Sequence, residues 1–460
     1  MRLQFVGGAS TVTGSCYYIE VNRLRILVEC GMRQGSGSDN VNKLPFPFDP
    51  TGLDYIFVTH AHIDHSGMLP KALKEGFKGR VITTSPTRDL LEPMLYDSAG
   101  IQQSDAEWLT KKGMRTGMAP AEPLYTTEDV ENLLPLFDTK PYDKVFHLGN
   151  GVKYRFLDAG HILGSASVEI WFQDSSVEKK LVFSGDIGKK DNPIIKEPFK
   201  PDAANYVIME STYGNRSHKP ISESIAELAA AIKTTFKRGG NVYIPSFAVG
   251  RTQDLLYIIN NLVREGRLYK IDVYLDSPLA EEVTRIYVAH PECFDDEARR
   301  LFTGNLKDYS MRLHFVRSVE DSMKLNRVRS GCIIIAGSGM CEGGRIRHHL
   351  KHNLWRSECG IIFVGYQAEG TLGRRLVDGA KAVSVLGEQV VVKAPIYTIN
   401  GFSAHAGREE LLDWLAAFND SPEVYMVHGE KEARDALATL ARERFGFKVH
   451  TPADGDVEEL

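Results

Sequence analysis

The chain has 460 residues, of which 43% are hydrophobic and 25% are charged, and its formal net charge is −5 at pH 7. This length predicts two or three domains, each large enough to bury a core, and the composition is ordinary for a globular protein. The negative net charge excludes a global attraction to nucleic acid, although a locally basic channel or bound divalent ions would still permit binding.

The six cysteines are scattered and form no Cys-x-x-Cys pair, so the sequence indicates neither a disulfide framework nor a zinc knuckle. Cys16, Cys30 and Cys332 lie in apolar, strand-like contexts, and we expect them to be reduced core residues. No charged-then-apolar leader begins the sequence, and no apolar run approaches the ~18 residues of a membrane span. We therefore expect a soluble cytoplasmic protein with no membrane partner.

The first predicted strand that is followed by candidate metal ligands ends at residue 58. The apolar run at residues 55–58 is typical of a buried strand, and Thr-His-Ala-His-Ile-Asp-His follows it at residues 59–65. A strand end is rigid, so it can hold several side chains around a metal at little ordering cost. An exposed polar loop is the alternative, but three imidazoles and a carboxylate within seven residues argue against it. Such ligands suit zinc and its neighbours without a thiolate.

Three later segments, separated from this motif by a predicted helical stretch at residues 85–136, repeat the same arrangement. Each has an apolar strand, a ligand-type residue and then a nearby glycine that lets the backbone turn. The residues are His161 after residues 152–157, Asp186 after residues 180–183, and His428 after residues 424–427. Each could by itself be a satisfied group at a strand terminus, but the repetition favours one shared site.

Seven side chains are enough to hold two ions. We assign His60, His62 and His161 to one ion, and Asp64, His65 and His428 to the other, with Asp186 as the bridge between them. Such a pair of ions, ~3.5–4 Å apart, can activate water and stabilise both sides of a displacement. The expected cofactor is therefore Zn²⁺, two ions per chain, although manganese would accept the same ligands.

Together these motifs resemble the metallo-β-lactamase superfamily, and the resemblance covers essentially the whole chain, beginning at residues 5–15. It implies an α/β fold, namely an αββα sandwich with a dinuclear metal site at one edge of its two sheets. One departure is Glu29, because the family commonly has aspartate at this position before the cysteine. We do not count Glu29 as a ligand. The superfamily cleaves lactams, thioesters and phosphodiesters, so the ligands alone leave the substrate open.

Two further side chains narrow the chemistry. Glu210 follows the apolar run at residues 206–209, and His405 lies in Gly-Phe-Ser-Ala-His-Ala-Gly at residues 401–407. His405 is not needed as a ligand, and a histidine beside a metal centre can act as a general acid or contact an anion, with Glu210 orienting it. A helix-capping or core imidazole is the alternative for His405.

Glu210, His405 and His428 match the three added motifs of the β-CASP branch of the superfamily, which cuts nucleic acids. Further segments of the branch pattern lie at residues 245–254, 336–344 and 365–374. The resemblance is closest to the RNA-cleaving subgroup, which is related to the nuclease of the pre-mRNA 3′-end cleavage complex and its bacterial counterparts. It implies single-stranded RNA as the partner and an inserted α/β β-CASP domain.

The inserted region supplies candidate RNA contacts. The loop after the predicted strand at residues 332–336 contains Ser338, Gly339 and Met340, whose backbone amides can hold a phosphate; an ordinary turn is the alternative. Arg345 opens a basic run at residues 345–352, which suits a phosphate backbone or forms a solvated helix face. Arg251 and Arg374 are weaker candidates of the same kind.

The predicted domain organisation follows from the β-CASP insertion. Residues 1–211 and 396–460 form the metallo-β-lactamase domain, and residues 212–395 form the β-CASP domain, where amphipathic helices at residues 222–237 and 251–264 alternate with apolar strands. This alternation is typical of a parallel sheet with crossover helices. We expect the cleft between the domains to bind an extended substrate.

The expected function is that of a zinc-dependent ribonuclease, which hydrolyses RNA phosphodiester bonds in RNA processing or decay. The resemblance to the RNA-cleaving subgroup implies endonucleolytic cleavage. Asp186, His405 and Glu210 are the expected catalytic residues. The alternatives are a thioesterase- or lactonase-type metallohydrolase and a non-catalytic RNA-binding processing factor. A homodimer is compatible with the sequence.

Overall fold

The computed structural model describes residues 1–35, 37–114, 117, 119–302 and 309–460. Their internal contacts divide the chain into two compact units. Unit 1 comprises Met1–Lys190, Lys196–Ser217 and His405–Leu460, and unit 2 comprises Asp191–Ile195 and His218–Ala404. The domain boundaries proposed from the sequence, 211/212 and 395/396, fall a few residues before those of the units, and no sequence pattern marked the short 191–195 segment.

Unit 1 contains two mixed sheets. Their strands are β1 (Arg2–Gly7), β2 (Cys16–Val21), β3 (Leu24–Val28), β4 (Tyr55–Phe57), β5 (Arg80–Thr83), β6 (Phe137–Thr139), β7 (Phe146–Gly149), β8 (Val152–Asp158), β9 (Ala166–Asp174), β10 (Val177–Phe183), β11 (Tyr206–Glu210), β20 (Glu423–Val427), β21 (Lys448–His450) and β22 (Val457–Glu459). The first sheet has the order β22-β1-β2-β3-β4-β5-β6, and the second has the order β21-β20-β11-β10-β9-β8-β7.

The core of unit 1 lies between these two sheets. Alternate side chains of β1 and β8, such as Leu3, Phe5 and Phe156, point into it and are fully buried, as a strand with one core face requires. Phe57 of the first sheet meets Tyr154 of the second with ring centroids 4.9 Å apart. Burying each such side chain contributes about 1.5–3 kcal/mol.

Helices cover the outer faces of the two sheets. Those of unit 1 are α1 (Ser38–Asn42), α2 (Ile63–Ser66), α3 (Leu69–Lys74), α4 (Ser85–Gly113), α5 (Thr127–Leu133), α13 (Arg408–Leu415) and α14 (Lys431–Phe445). Trp414 of α13 and Leu437 of α14 pack on the outer side of the second sheet. The predicted αββα architecture is therefore confirmed. The single helical stretch predicted at residues 85–136 is two helices, because Thr126 and Asp129 form a capping box that starts α5 anew.

Unit 2 contains a parallel sheet with the order β14-β13-β15-β12-β16-β19. Its strands are β12 (Val242–Pro245), β13 (Asp272–Leu275), β14 (Arg312–Phe315), β15 (Cys332–Ala336), β16 (Gly360–Phe363) and β19 (Ile396–Thr398), with β17 (Ala382–Val385) and β18 (Glu388–Val391) as a separate hairpin. Its helices are α6 (Ile221–Lys237), α7 (Arg251–Arg264), α8 (Pro278–Ala289), α9 (Asp296–Phe302), α10 (Val319–Leu325), α11 (Ile346–Asn353) and α12 (Leu372–Val377). The predicted alternation of strands and helices is confirmed.

Two other sequence expectations concern the whole chain. All six cysteines are free and buried, as predicted for Cys16, Cys30 and Cys332. Among the described residues, no helix combines the length and the apolar character that crossing a bilayer would need.

Candidate metal centre

In the second sheet, the strands that precede His161, Asp186, Glu210 and His428 all point the same way. The strands β10, β11 and β20 are parallel neighbours. Both β8 and β10 are antiparallel to β9, so β8 has the same direction as β10. Strands with a common direction end at the same edge of a sheet, where α/β proteins bind ligands. His161, Asp186, Glu210 and His428 therefore emerge together.

The segment after β4 is held by backbone contacts on both sides. The one-turn helix α2 begins at Ile63, directly after His62, and carries Asp64 and His65. The amide of Ser15 donates to the Asp64 carbonyl at 2.9 Å, and a Cβ on Gly31 would lie only 1.8 Å from that oxygen. Only glycine at position 31 lets the chain approach this closely, so the loop has little freedom.

The first ligand group consists of His60, His62 and His161. His62 Nδ1 lies 3.1 Å from His60 Nε2 and 3.3 Å from His161 Nε2. Asp186 Oδ2 completes the group at 3.4 Å from His60 Nε2 and 3.6 Å from His161 Nε2. Four donor atoms thus converge on one point, from segments that are far apart in the sequence.

The second ligand group consists of Asp64, His65 and His428. The Nε2 atoms of the two histidines are 3.2 Å apart, and Asp64 Oδ2 lies 3.7 Å from His65 Nε2 and 3.5 Å from His428 Nε2. The other carboxylate oxygen of Asp186, Oδ1, lies 3.4 Å from His65 Nε2. Asp186 therefore presents one oxygen to each group, which is the arrangement of a bridging carboxylate.

These distances fit divalent metal ions. A tetrahedral zinc ion with bonds of ~2.0–2.1 Å separates its ligand atoms by about 3.3 Å, close to the spacings within both groups. Asp186 Oδ1 is buried and accepts no hydrogen bond from any residue that the structure describes, which is costly for a carboxylate unless a cation neutralises it. The structure brings all seven predicted ligands together; that they hold ions stays a proposal.

The ionisation of three ligands, His60, His62 and Asp64, favours binding of a metal. Burial lowers the pKa of His60 to about 3 and that of His62 to about 4, so both imidazoles are neutral at pH 7 and keep a lone pair for a metal. Burial alone would raise the pKa of Asp64, but the charges of His65 and His428 outweigh it and hold that pKa below its usual value. Metal binding therefore requires no deprotonation of these three groups at neutral pH. His65 differs, because burial alone would lower its pKa but the charges of Asp186 and Asp64 raise that pKa well above its usual value.

A glutamate–histidine pair lies beside the first ligand group. His405 Nδ1 lies 3.3 and 3.2 Å from the two oxygens of Glu210, and Glu210 Oε1 also accepts a hydrogen bond of 2.6 Å from the amide of Ile187. The Ala406 amide donates to the Ile187 carbonyl at 2.7 Å, which fastens the His405 segment to the turn that carries Asp186. The predicted orientation of His405 by Glu210 is thus geometrically available.

Carboxylates also control the charge of His405. Burial alone would lower its pKa, but the negative charges of Glu210 and Asp186 raise it to about 10. The imidazole is therefore protonated in the metal-free chain. Bound divalent ions would oppose this rise, because they add positive charge close by.

Three family models match the chain. The metallo-beta-lactamase superfamily matches residues 10–244, the Beta-Casp domain matches residues 252–376, and the Zn-dependent metallo-hydrolase RNA specificity domain matches residues 389–452. The chain belongs to the β-CASP branch of the metallo-β-lactamase superfamily. The family and fold predicted from the sequence are thereby confirmed.

Relatives of this β-CASP chain span nearly all of it. It is 37% identical over 441 residues to Ribonuclease TTHA0252 of Thermus thermophilus, covering 96% of both proteins. It is 31% identical over 474 residues to Transcription termination factor FttA of Methanosarcina mazei, covering 100% of this chain and 71% of that protein. A crystal structure of a protein of unknown function from Enterococcus faecalis V583 matches with a TM-score of 0.56 at 11% identity over 100% of this chain and 99% of that one, which supports the fold alone.

Two threonines that the sequence did not single out lie against histidines of the two ligand groups. Thr59 Oγ1 lies 3.0 Å from His60 Nδ1, and Thr212 Oγ1 lies 3.0 Å from His428 Nδ1. The Thr212 hydroxyl donates to the His428 carbonyl at 3.1 Å, so its oxygen can accept the Nδ1 proton and leave Nε2 for a metal. The sequence offered one indication for each: Thr59 directly precedes His60, and Thr212 follows the end of β11 by two residues.

Glu29 also lies next to a ligand. It is buried, its Oε1 accepts a 3.1 Å hydrogen bond from the Thr59 amide, and its Oε2 faces His65 Nδ1 at 3.7 Å. Oε2 accepts no hydrogen bond from the described residues. The carboxylate therefore faces the ring nitrogen of His65 that is turned away from the other ligands, which agrees with not counting Glu29 as a ligand.

The six predicted RNA-contacting residues all lie in unit 2. Ser338, Gly339 and Met340 follow β15, and the Ser338 hydroxyl is used within the loop, 3.3 Å from the Gly343 carbonyl. Each arginine forms an internal ion pair; these pairs are Arg251 with Asp254, Arg345 with Asp276, and Arg374 with Asp378. Their contacts with RNA stay predictions.

The basic run that begins at Arg345 differs from the expected solvated or RNA-facing surface in two places. His349 is 1% exposed and bonds Asp276 through Nε2 at 2.7 Å. Arg345 bonds the same aspartate at 2.7 Å and donates to the carbonyls of Val316 and Arg317. The local sequence pattern could not reveal Asp276, which lies far away in the sequence and holds the Arg345 and His349 side chains inward.

Proposed function

We propose that this β-CASP protein is a metal-dependent ribonuclease that hydrolyses phosphodiester bonds in single-stranded RNA, with two zinc ions as cofactors. The observation that carries the proposal is the pair of ligand groups joined by Asp186, with the Glu210–His405 pair beside them. A relative named a ribonuclease, 37% identical over 96% of both chains, supports RNA as the substrate class. We place the protein in the cytoplasm.

Seven residues of the site would bind the metal ions, and His405 would transfer a proton. His60, His62 and His161 would hold one ion; Asp64, His65 and His428 would hold the other; Asp186 would contact both. Bound ions would supply an activated water and neutralise charge that develops on the phosphate oxygens. The neutral imidazoles of His60, His62 and His161 and the buried carboxylate of Asp186 favour binding of a cation.

His405 is placed to act on the leaving group. Its Nδ1–H donates to Glu210, which leaves Nε2 as the ring atom that would carry the proton to be transferred. Glu210 is itself fixed by the Ile187 amide, and this prevents the ring from rotating. The Nε2 proton can pass to the departing oxygen or bond a phosphate oxygen, a contribution of roughly 10²–10⁴-fold in rate.

The experiment compares one RNA sequence in linear and circular form, with the zinc-loaded protein and its Asp186→Asn variant. Cutting of the circle by the wild type, and loss of both bound zinc and cutting in the variant, are expected. A circle that stays intact while the linear form is shortened from one end would replace endonucleolytic by exonucleolytic action. No cleavage of either RNA, together with turnover of a thioester or lactone, would overturn the ribonuclease proposal.

A further inference from the structure

The loop after β11 carries an aromatic side chain and a cation next to His405. The ring centroids of Tyr213 and His405 are 6.1 Å apart with planes at 63°. The guanidinium carbon of Arg216 lies over the Tyr213 ring at 4.7 Å from its centroid. Tyr213 is half-buried and Arg216 is exposed. Neither residue belongs to the ligand groups or to the Glu210–His405 pair.

Backbone contacts hold this loop in place. The Gly214 amide donates to the Ser211 carbonyl at 3.0 Å, the Arg216 amide donates to the Tyr213 carbonyl at 3.1 Å, and the Arg408 amide donates to the Arg216 carbonyl at 2.9 Å. A Cβ on Gly214 would lie 2.4 Å from the Ala433 carbonyl oxygen, so the loop packs as closely as glycine allows. The Tyr213 ring is therefore preorganised, which lowers the entropy cost of binding against it.

Two residues shortly before Tyr213 in the same segment, Glu210 and Thr212, lie against the metal centre. Glu210 bonds His405, and Thr212 bonds His428. A tyrosine that directly follows these groups extends the site rather than the hydrophobic core, because it is not enclosed and lies under an exposed guanidinium. A side chain that had only a packing role would be expected to be buried like the core aromatics of β1 and β8.

We infer that Tyr213 and Arg216 form a nucleobase subsite for the nucleotide that adjoins the scissile phosphate. This inference rests on the proposed ribonuclease function. Every base has a π-face that stacks on an aromatic ring or a guanidinium plane, and single-strand-binding proteins combine such rings with cations. His405 meets the phosphate, so a base next to that phosphate is within reach of the neighbouring ring. The subsite recognises a base of any identity and distinguishes RNA from a phosphodiester without bases.

The test removes the RNA base next to the cleavage site and the Tyr213 ring, first separately and then together. A single-stranded RNA with a mapped cleavage site is compared with versions that carry an abasic nucleotide on either side of that site. With the zinc-loaded wild type, one abasic position lowers kcat/KM by roughly 5- to 150-fold, the range of one base–aromatic stack. With Tyr213→Ala, normal and abasic RNA are cleaved at equal rates, because the two changes remove the same contact. Tyr213→Phe retains the preference for the base.

Two further variants sharpen the test. Arg216→Ala weakens RNA binding and reduces the slope of log affinity against log salt by about 0.7, as expected for one lost contact to a single strand. Trp108→Ala is the matched control, since Trp108 is an exposed aromatic beside Lys112, 5.0 Å from its ring centroid, on helix α4. It leaves the discrimination between normal and abasic RNA unchanged.

Equilibrium binding of the same RNAs to the chelator-treated protein measures the contribution of the subsite to affinity in the absence of cleavage. Base-dependent binding that Tyr213→Ala abolishes supports the subsite, even if the wild type cleaves no RNA and the proposed ribonuclease function fails. An abasic penalty that is equal in the wild type and in Tyr213→Ala, or no penalty in either measurement, overturns the inference.

Discussion

Asp186 contacts both ligand groups, with Oδ2 3.4 Å from His60 and Oδ1 3.4 Å from His65. It is 2% exposed, so water cannot replace these partners. The neighbouring histidines hold the pKa of its carboxyl far below the usual value although burial alone would raise it. A permanent negative charge at this point is what two adjacent cations would need in order to bind close together.

Replacing His405 separates catalysis from metal binding at the residue scale. We expect His405→Ala to keep its zinc and to lose about 10²–10⁴-fold in cleavage rate, because the proton donor is removed while the ligands remain. Metal content and single-turnover cleavage measure the two effects. His450→Ala is the control, since His450 also bonds a glutamate, Glu423, at 2.7 Å but lies outside the site. Unchanged turnover in the zinc-loaded His405 variant would remove this assignment.

Thr212 acts on a metal ligand through one hydrogen bond. We expect Thr212→Val to weaken binding of the second ion by ~10–100-fold, because the His428 ring loses the acceptor that sets its tautomer. Competition with a chromophoric chelator measures this affinity, and Thr212→Ser should restore it. Thr439→Val, which removes a hydroxyl bonded to the Asp435 carbonyl within α14, should leave it unchanged. Equal affinities in the wild type and in Thr212→Val would exclude this orienting role.

At the scale of elements, the turns after β8 and β10 touch through their backbones. The Gly188 amide donates to the Ala159 carbonyl at 2.8 Å, and Gly188 also forms a β-bridge with His405. A Cβ on Gly188 would lie 1.7 Å from the Gly160 carbonyl oxygen and 2.8 Å from the His161 amide nitrogen. The segments that carry Asp186, His161 and His405 therefore depend on one glycine.

Gly188→Ala should consequently damage both stability and the metal centre. We expect a loss of about 1–3 kcal/mol in the free energy of unfolding, the usual cost of overpacking, together with weaker zinc binding because two ligand segments must move apart. Chemical denaturation and metal content are the measurements. Gly100→Ala is the control: its Cβ would meet no described atom within 4 Å, and in helix α4 it should add roughly 0.5–1 kcal/mol. Normal zinc binding by Gly188→Ala would contradict this account.

Asp276 joins β13 to α10 and α11 in unit 2. It is fully buried and accepts hydrogen bonds from Ser322 at 2.6 Å, and from Arg345 and His349 at 2.7 Å. Burial alone would raise its pKa, but the hydrogen bonds from His349, Ser322 and Arg345 outweigh it and hold the pKa below the usual value. A lowered carboxyl pKa stabilises the folded state above the unfolded pKa of about 3.9, and this stability is lost as the pH falls toward the folded value.

We therefore expect Asp276→Asn to lower the free energy of unfolding by about 3–5 kcal/mol at pH 7, because it leaves the Arg345 guanidinium without its counter-charge and removes the carboxylate that His349 bonds. The difference from the wild type should shrink as the pH falls below about 4. Urea unfolding at neutral and acid pH measures it. Asp378→Asn breaks the exposed pair with Arg374 and should cost no more than ~1 kcal/mol. A pH-independent difference would show that the charge is not the cause.

At the scale of the whole molecule, the expected ligands come from segments that begin near residue 60 and end at residue 428. Ions bound there would link both sheets of unit 1, because β4 belongs to the first sheet and β10 and β20 to the second. Ligands that bind only the folded state stabilise it by mass action. Folding and metal binding are coupled in such a site.

Removing the ions should therefore lower thermal stability as well as activity. At a free zinc concentration ~1,000 times the dissociation constant, one bound ion contributes about 4 kcal/mol, so its removal should lower the Tm by roughly 4–7 °C. Differential scanning calorimetry with and without chelator measures the shift. Asp186→Asn should show almost none, since it has already lost its ions. Identical Tm values for the chelated and zinc-loaded wild type would show that the site adds no stability.

Local pattern in the sequence determined much of this protein. Short apolar runs marked β4, β8, β10, β11 and β20, and amphipathic segments marked α6 and α7. The chemistry of the ligands was legible as well, because imidazole and carboxylate groups stood directly after those strands. These signals are local, since a strand end and the residue that follows it are neighbours in the chain.

The tertiary structure alone decided which groups meet. Thr212 reaches His428, Tyr213 lies beside His405, and Asp276 turns Arg345 and His349 inward. Each partner is set by strand pairing or packing between distant segments, so no local spacing encodes it. The sequence could thus name the chemical groups of the site, whereas their distances, orientations and charges depend on how the sheets bring those segments together.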